Sequence, residues 1–142
     1  MSKKKTNYDG WELKFFDEAK NFRNYQLKLI KQYVKGYVAE VGPGNGMNVS
    51  TYIKYPKKID LYEPTKKFYL ELKKRFKKNN KVSNYNKKFL LQKEKYDSIL
   101  YLDVLEHIKY DKEEILKAFK SIKKKWLFNY KCPSFFISIF KI

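Results

Sequence analysis

Residues 37–48, YVAEVGPGNGMN, constrain this chain more than any other stretch. Gly42, Gly44 and Gly46 fall within five residues, directly behind a short apolar run. Such a run, bounded by turn residues, reads as a buried strand, and "MNVSTYIKY" behind it reads as a short helix closed by Pro56. A strand entering a glycine turn that opens a helix is the start of a βαβ unit. In open parallel sheets the ligand lies at the carboxyl ends of the strands, which is where this turn sits. Bare backbone there lets a ligand approach closely.

The rest of the chain continues the alternation. Helical spacing of Trp11, Phe15, Phe16, Ala19, Phe22, Tyr25, Leu27, Ile30 and Val34 predicts one or two helices over residues 11–35, stopped by Gly36. "KKIDLYE" is a second strand ended by Pro64. "TKKFYLELKKRFKKNN" is a helix with Thr65 as its cap and Phe68, Leu72 and Phe76 as its stripe. "KVSNYN" is a third strand and "YDSILYLD" a fourth. "DKEEILKAFKSIKKK" is a helix with acid first and lysine last, which suits the macrodipole. "WLFNY" is a fifth strand. Strands alternating with helices imply parallel pairing with right-handed crossovers. Neither an internal repeat nor a linker divides the 142 residues, which are enough for one domain with a core.

The motif narrows the ligand. A phosphate-binding P-loop needs Lys-Ser or Lys-Thr behind its glycines, and none is present. A dinucleotide fingerprint counted from Gly42 and Gly44 needs glycine where Met47 stands. The pattern is instead Glu40, Gly42, Gly44, Gly46: an acid and three glycines at alternate positions. Glu63 follows 17 residues past Gly46 at the end of the second strand. A carboxylate there either accepts two ribose hydroxyls or serves as a charge at the next helix's start. The third mark is "YDSILYLDVLEHI", residues 96–108. Asp97 opens its strand, Asp103 stands at the carboxyl end, and Glu106 and His107 follow.

Together these marks resemble motif I, the ribose acid and motif IV of the class I S-adenosylmethionine-dependent methyltransferases, in the right order over residues 37–108. The wording is closest to methyltransferase-domain proteins often associated with glycan and lipopolysaccharide biosynthesis. The resemblance implies a three-layer α/β/α Rossmann-like sandwich with parallel strands in order 3-2-1-4-5. It implies S-adenosylmethionine as cofactor, held by Glu40, Gly42, Gly44, Gly46, Glu63 and Asp103, with Asn86 in place of the family's adenine-binding Asp. It implies methyl transfer to a small-molecule or glycan acceptor. The base candidate is His107, the only histidine, beside Asp103; the alternative is a histidine that packs or caps. Asp103, Glu106 and His107 resemble part of a metal set found in some relatives, but the further histidine is missing, so no metal is expected.

The chain departs from the family at its end. "SIKKKWLFNYKCPSFFISIFKI" lacks the usual glycine turn, and the C-terminal β-hairpin that shapes the acceptor site is not expected. The division is therefore a basic arm over 1–8, N-terminal helices over 11–35, a cofactor-binding core over 37–131 and an apolar tail over 132–142. The tail either folds back on the sheet or pairs with another copy. Two function classes stay open: a methyltransferase, or a shortened, partner-dependent cofactor-binding domain.

Composition bears on partners. Lysine and arginine number 33 against 15 acids, a formal charge of +18, and only Arg23 and Arg75 are arginines. An arginine-poor excess is a weak signature of base readout, so a solvated, biased surface is the expectation and a nucleic-acid footprint the alternative. One cysteine, Cys132, permits no internal disulfide and fits a reducing, cytoplasmic setting. The start has no apolar leader. No run reaches the roughly 18 apolar residues of a membrane span.

Overall fold

A computed structural model describes residues 20–123 and 135–138 of the chain. Among these residues five strands form one parallel sheet: β1 Tyr37–Val41, β2 Lys58–Tyr62, β3 Val82–Tyr85, β4 Ser98–Leu102 and β5 Phe135–Ser138, in the order β3-β2-β1-β4-β5. The helices are α1 Lys20–Ile30, α2 Met47–Tyr52, α3 Lys66–Arg75 and α4 Asp111–Ser121, with a 3₁₀ turn at Leu105–His107. This is the expected sandwich, and YVAEV lies parallel to SILYL as anticipated, with Val38 opposite Ser98 and Val41 opposite Tyr101.

The two faces of the sheet are set by strand alternation. Val38, Ile59, Leu61, Leu100 and Leu102 face Ile30, Val34, Val49, Tyr52, Leu72 and Phe76, so α1, α2 and α3 form one layer. Ala39, Val41, Tyr62, Ile99 and Tyr101 face Phe89, Tyr96, Leu105, Ala118 and Ile122, so α4 forms the other. β1 and β4 are central and nearly wholly buried, which is why they read as continuous apolar runs. The second face also holds a polar cluster. Fully buried Asp60 accepts hydrogen bonds from Tyr37 Oη at 3.0 Å, Tyr96 Oη at 2.8 Å and Lys95 Nζ at 2.9 Å. With the Tyr96 proton given to Asp60, Tyr62 donates to Tyr96 at 2.7 Å. Burial and the Asp60 carboxylate push the Tyr37 phenol up to about 12.

Three local expectations change. The strand beside β4 is Phe135–Ser138, from the apolar tail, while WLFNY lies outside the described residues. The tail thus folds back on the sheet, pairing Ile99 with Phe135 and Leu102 with Ser138. A buried central strand such as β4 needs a ladder partner on each side. Thr65 does stand at the start of α3, but its side chain caps nothing; its N–H instead donates to Glu63 Oε1 at 2.8 Å. α1 ends at Ile30 and not at Gly36 as expected; Gly36 instead leads the chain into β1. Its φ is +69°, and a Cβ there would lie 2.4 Å from Asp97 Oδ2, which accepts the Tyr37 N–H at 2.7 Å. The basic arm and the first part of the N-terminal helices lie outside the described residues.

Candidate functional site

The carboxyl ends of β1, β2 and β4 open into a cleft of about 1040 Å³. Gly42, Gly44, Glu40, Glu63, Asp103 and His107 all line it, as do Phe68 and Phe89. The topology brings them together: parallel neighbours deliver the residues after each strand to one edge of the sheet.

The glycine turn is built by close packing. Gly42 has φ +69°, and a Cβ there would meet Val104 Cγ2 at 2.4 Å, so the turn and the loop after β4 touch through a missing side chain. Gly46 does the same on the other side, where a Cβ would meet Leu72 Cδ2 at 2.6 Å. Gly46 does not line the cleft; it lets α2 start against α3. The Gly44 N–H donates to Glu63 Oε2 at 3.1 Å, and Arg75 Nε donates to the Asn45 carbonyl at 2.8 Å.

Three carboxylates converge here. Glu40 is buried on the α1–α3 side of β1 and accepts a hydrogen bond from Tyr52 Oη. Burial, then the charges of Asp103 and Glu63, push Glu40 up to about 8. Glu63 is buried and bridges the Gly44 and Thr65 amides; burial raises its pKa while those hydrogen bonds lower it. Asp103 has φ +53°, an uncommon conformation for a side-chain-bearing residue, and accepts from Gln26 Nε2 at 3.0 Å. Burial raises its pKa, against the Gln26 hydrogen bond. Among the described residues none of the three forms an ion pair.

His107 is exposed on the 3₁₀ turn at the cleft, with its N–H bonded to the Val104 carbonyl at 3.0 Å. Asn86 is not brought into the cleft lining. Its Nδ2 ties down the loop after β2, donating to the Glu63 carbonyl at 3.0 Å and the Pro64 carbonyl at 3.1 Å. Sequence reasoning did not find Gln26, which holds Asp103 from α1, nor Tyr52, which holds Glu40. Both sit among residues read only for apolar spacing, and neither carries a motif. Among the described residues no group of three metal-ligating side chains forms, and no helix is long and apolar enough to cross a membrane.

The fold is that of the class I S-adenosylmethionine-dependent methyltransferases. The chain superposes on DhpI in its complex with SAH with a TM-score of 0.65 at 13% identity, covering 92% of this chain and 59% of DhpI. The YcgJ protein from Bacillus subtilis gives 0.63 at 13% identity, covering 70% and 47%. A SAM-dependent methyltransferase from Leishmania major gives 0.60 at 18% identity, covering 90% and 50%. The chain thus spans about half to three-fifths of the length of these structures. No family model matches the chain, and no curated protein matches it.

Proposed function

We propose that the cleft binds S-adenosylmethionine and that the chain transfers its methyl group to a small-molecule or glycan acceptor. The observation that carries this reading is the meeting of the glycine turn with Glu40, Glu63 and Asp103. The residues suit the group. At Gly44 the turn presents bare backbone in the cleft lining, where a ligand can approach. Among the described residues the carboxylates are held by neutral donors only, so they favour a cationic guest. When bound, S-adenosylmethionine supplies an electrophilic methyl on a sulfonium and carries an ammonium as well.

Glu63 takes the ribose hydroxyls with the acceptor capacity left after its two amide bonds. Glu40 and Asp103 meet the ammonium end, directly or through water. Phe68 and Phe89 supply apolar walls. The chain's main work is then positioning, with His107, exposed at the rim, as the group able to take a proton from a hydroxyl acceptor. DhpI, solved with SAH and with SAM, supports the cofactor. Calorimetric titration with S-adenosylmethionine and S-adenosylhomocysteine tests the reading. Saturable one-site binding is expected, and absence of heat at high ligand concentration would overturn it. Transfer of a labelled methyl group to an acceptor pool then separates an enzyme from a shortened, partner-dependent binding domain.

A further inference from the structure

The positive charge of this chain is not evenly spread. Residues 20–85, which supply α1, α2 and α3, carry sixteen lysines and arginines against four acids. Three of those acids, Glu40, Asp60 and Glu63, are buried, which leaves Glu71 as the exposed one. Residues 86–123, which supply α4 and the opposite layer, carry nine lysines against seven acids. Among the described residues, most of the excess therefore lies in the segment that supplies α1, α2 and α3.

It is densest along α3 and the turn behind it. Lys66, Lys67, Lys73, Lys74, Lys77 and Lys78 are all exposed there. The first two pairs stand seven residues apart, two turns and about 10 Å along the axis, on one side of the helix. The aromatic surface between them is also used by the cations: Lys73 lies 5.8 Å from the Tyr69 ring centroid. Arg75 links this helix to the glycine turn.

We propose that the exposed side of α3 and its following turn is a docking surface for the phosphate backbone of a nucleic acid. A regular array of lysines with one acid among them is complementary to a polyanion. Lysine is a point charge rather than a fork, so the surface holds phosphates and reads no sequence. An anionic membrane is the poorer occupant. Such binding adds inserted apolar side chains to the charge, and α3 offers only Leu70, while exposed Leu90, Leu91, Leu116 and Phe119 lie on the segment building the other layer. The proposal stands apart from the methyl-transfer reading, since it uses no residue of the carboxylate cluster.

The test compares two variants of equal net charge. One carries Lys73→Gln, Lys74→Gln, Lys77→Gln and Lys78→Gln; the other carries Lys87→Gln, Lys93→Gln, Lys112→Gln and Lys120→Gln, all at exposed positions. Fluorescence anisotropy with a mixed-sequence RNA of about 30 nucleotides, at several salt concentrations, reads affinity and salt slope. The α3 variant should bind at least ten-fold more weakly and lose up to about 3–3.5 from the slope of log affinity on log salt, at about 0.7–0.9 per phosphate contact. The second variant should change affinity less than three-fold. Equal losses in the two variants would overturn the proposal, because net charge alone would then explain binding. So would failure of the unaltered chain to bind at about 0.1 M salt. Phosphatidylserine vesicles provide a further arm: capture that depends on α3 while RNA binding does not would assign the surface to a membrane and overturn the proposal.

Discussion

Gly42→Ala is the sharpest probe of how the cleft is built. The residue sits at φ +69°, and the added methyl would stand 2.4 Å from Val104 Cγ2 and 3.1 Å from Val104 Cβ. The left-handed backbone costs a side-chain-bearing residue about 1–2 kcal/mol. Forcing a methyl into occupied space costs about 1–3 kcal/mol more. Alanine's smaller unfolded-state entropy returns about 0.4–1 kcal/mol. The net destabilisation is therefore about 1–4.5 kcal/mol, a large share of a typical domain's stability of about 5–15 kcal/mol. Urea unfolding followed by circular dichroism measures it. The double variant Gly42→Ala/Val104→Ala separates the two causes: truncating Val104 removes the 2.4 Å contact but leaves its Cβ at 3.1 Å and the backbone strain, so part of the loss should return. Val104→Ala alone should cost less than about 1.5 kcal/mol, since this side chain is only partly buried. If Gly42→Ala lies within about 0.5 kcal/mol of the parent, or if the two substitutions simply add, the turn and the loop after β4 do not touch as described.

The remaining expectations concern charge, ligand and edge. Glu63→Ala should weaken S-adenosylmethionine binding at least ten-fold by calorimetry, since charge-assisted hydrogen bonds are worth about 1.5–3 kcal/mol each, while Lys66→Ala should change it less than two-fold; equal affinities would remove Glu63 from the site. Glu40 is raised from 4.5 to about 8, so between those values the folded chain holds a proton that the unfolded chain releases, and stability falls as pH rises through that window. Glu40→Gln should flatten the decline, leaving only what Glu63 and Asp103 contribute, and an unchanged profile of urea midpoint against pH would count against a buried Glu40. A chain ending at Pro133 loses β5 and bares the edge of β4, so it should melt earlier and scatter more light on concentration; an unaltered monomer with the same melting temperature would show that the pairing adds nothing.

Much of this was readable in the chain, for identifiable reasons. β1 and β4 are buried on both faces, so their apolar runs stand out from a lysine-rich background. The acids at the strand ends follow from parallel topology once the glycine turn is placed. The fifth strand was harder. WLFNY and FFIS are both short apolar segments after α4, and local composition does not choose which of them reaches β4; pairing with Ile99–Leu102 does. Asn86 stands where relatives carry the adenine-binding Asp, but its amide nitrogen finds two carbonyls close by. Gln26 lies 77 residues from Asp103, and no local pattern announces such a contact. The charge asymmetry was hidden for a similar reason: lysines spaced throughout the chain look even until the helices are sorted onto two faces.

The cleft and the core treat their buried carboxylates in opposite ways. Asp60 lies at 0% exposure and is answered by Lys95 and two phenols, so its charge is compensated inside the protein. Among the described residues Glu40, Glu63 and Asp103 receive neutral donors only, and all three are raised by burial. Mutual repulsion and desolvation therefore accumulate at one edge of the sheet, where Asp103 also carries an uncommon positive φ. A lysine placed among them would relieve the repulsion and fill the space. Lysine is the commonest charged residue of this chain and dominates the surface of α3 a few residues away, yet Glu40 is faced by Tyr52 and Asp103 by Gln26. Among the described residues the uncompensated edge is thus a local property of the fold rather than of composition, and a cationic guest would lower its energy. If the cleft binds S-adenosylmethionine as proposed, the same three carboxylates are a cost to the free chain and a source of affinity for a ligand bearing an ammonium and a sulfonium.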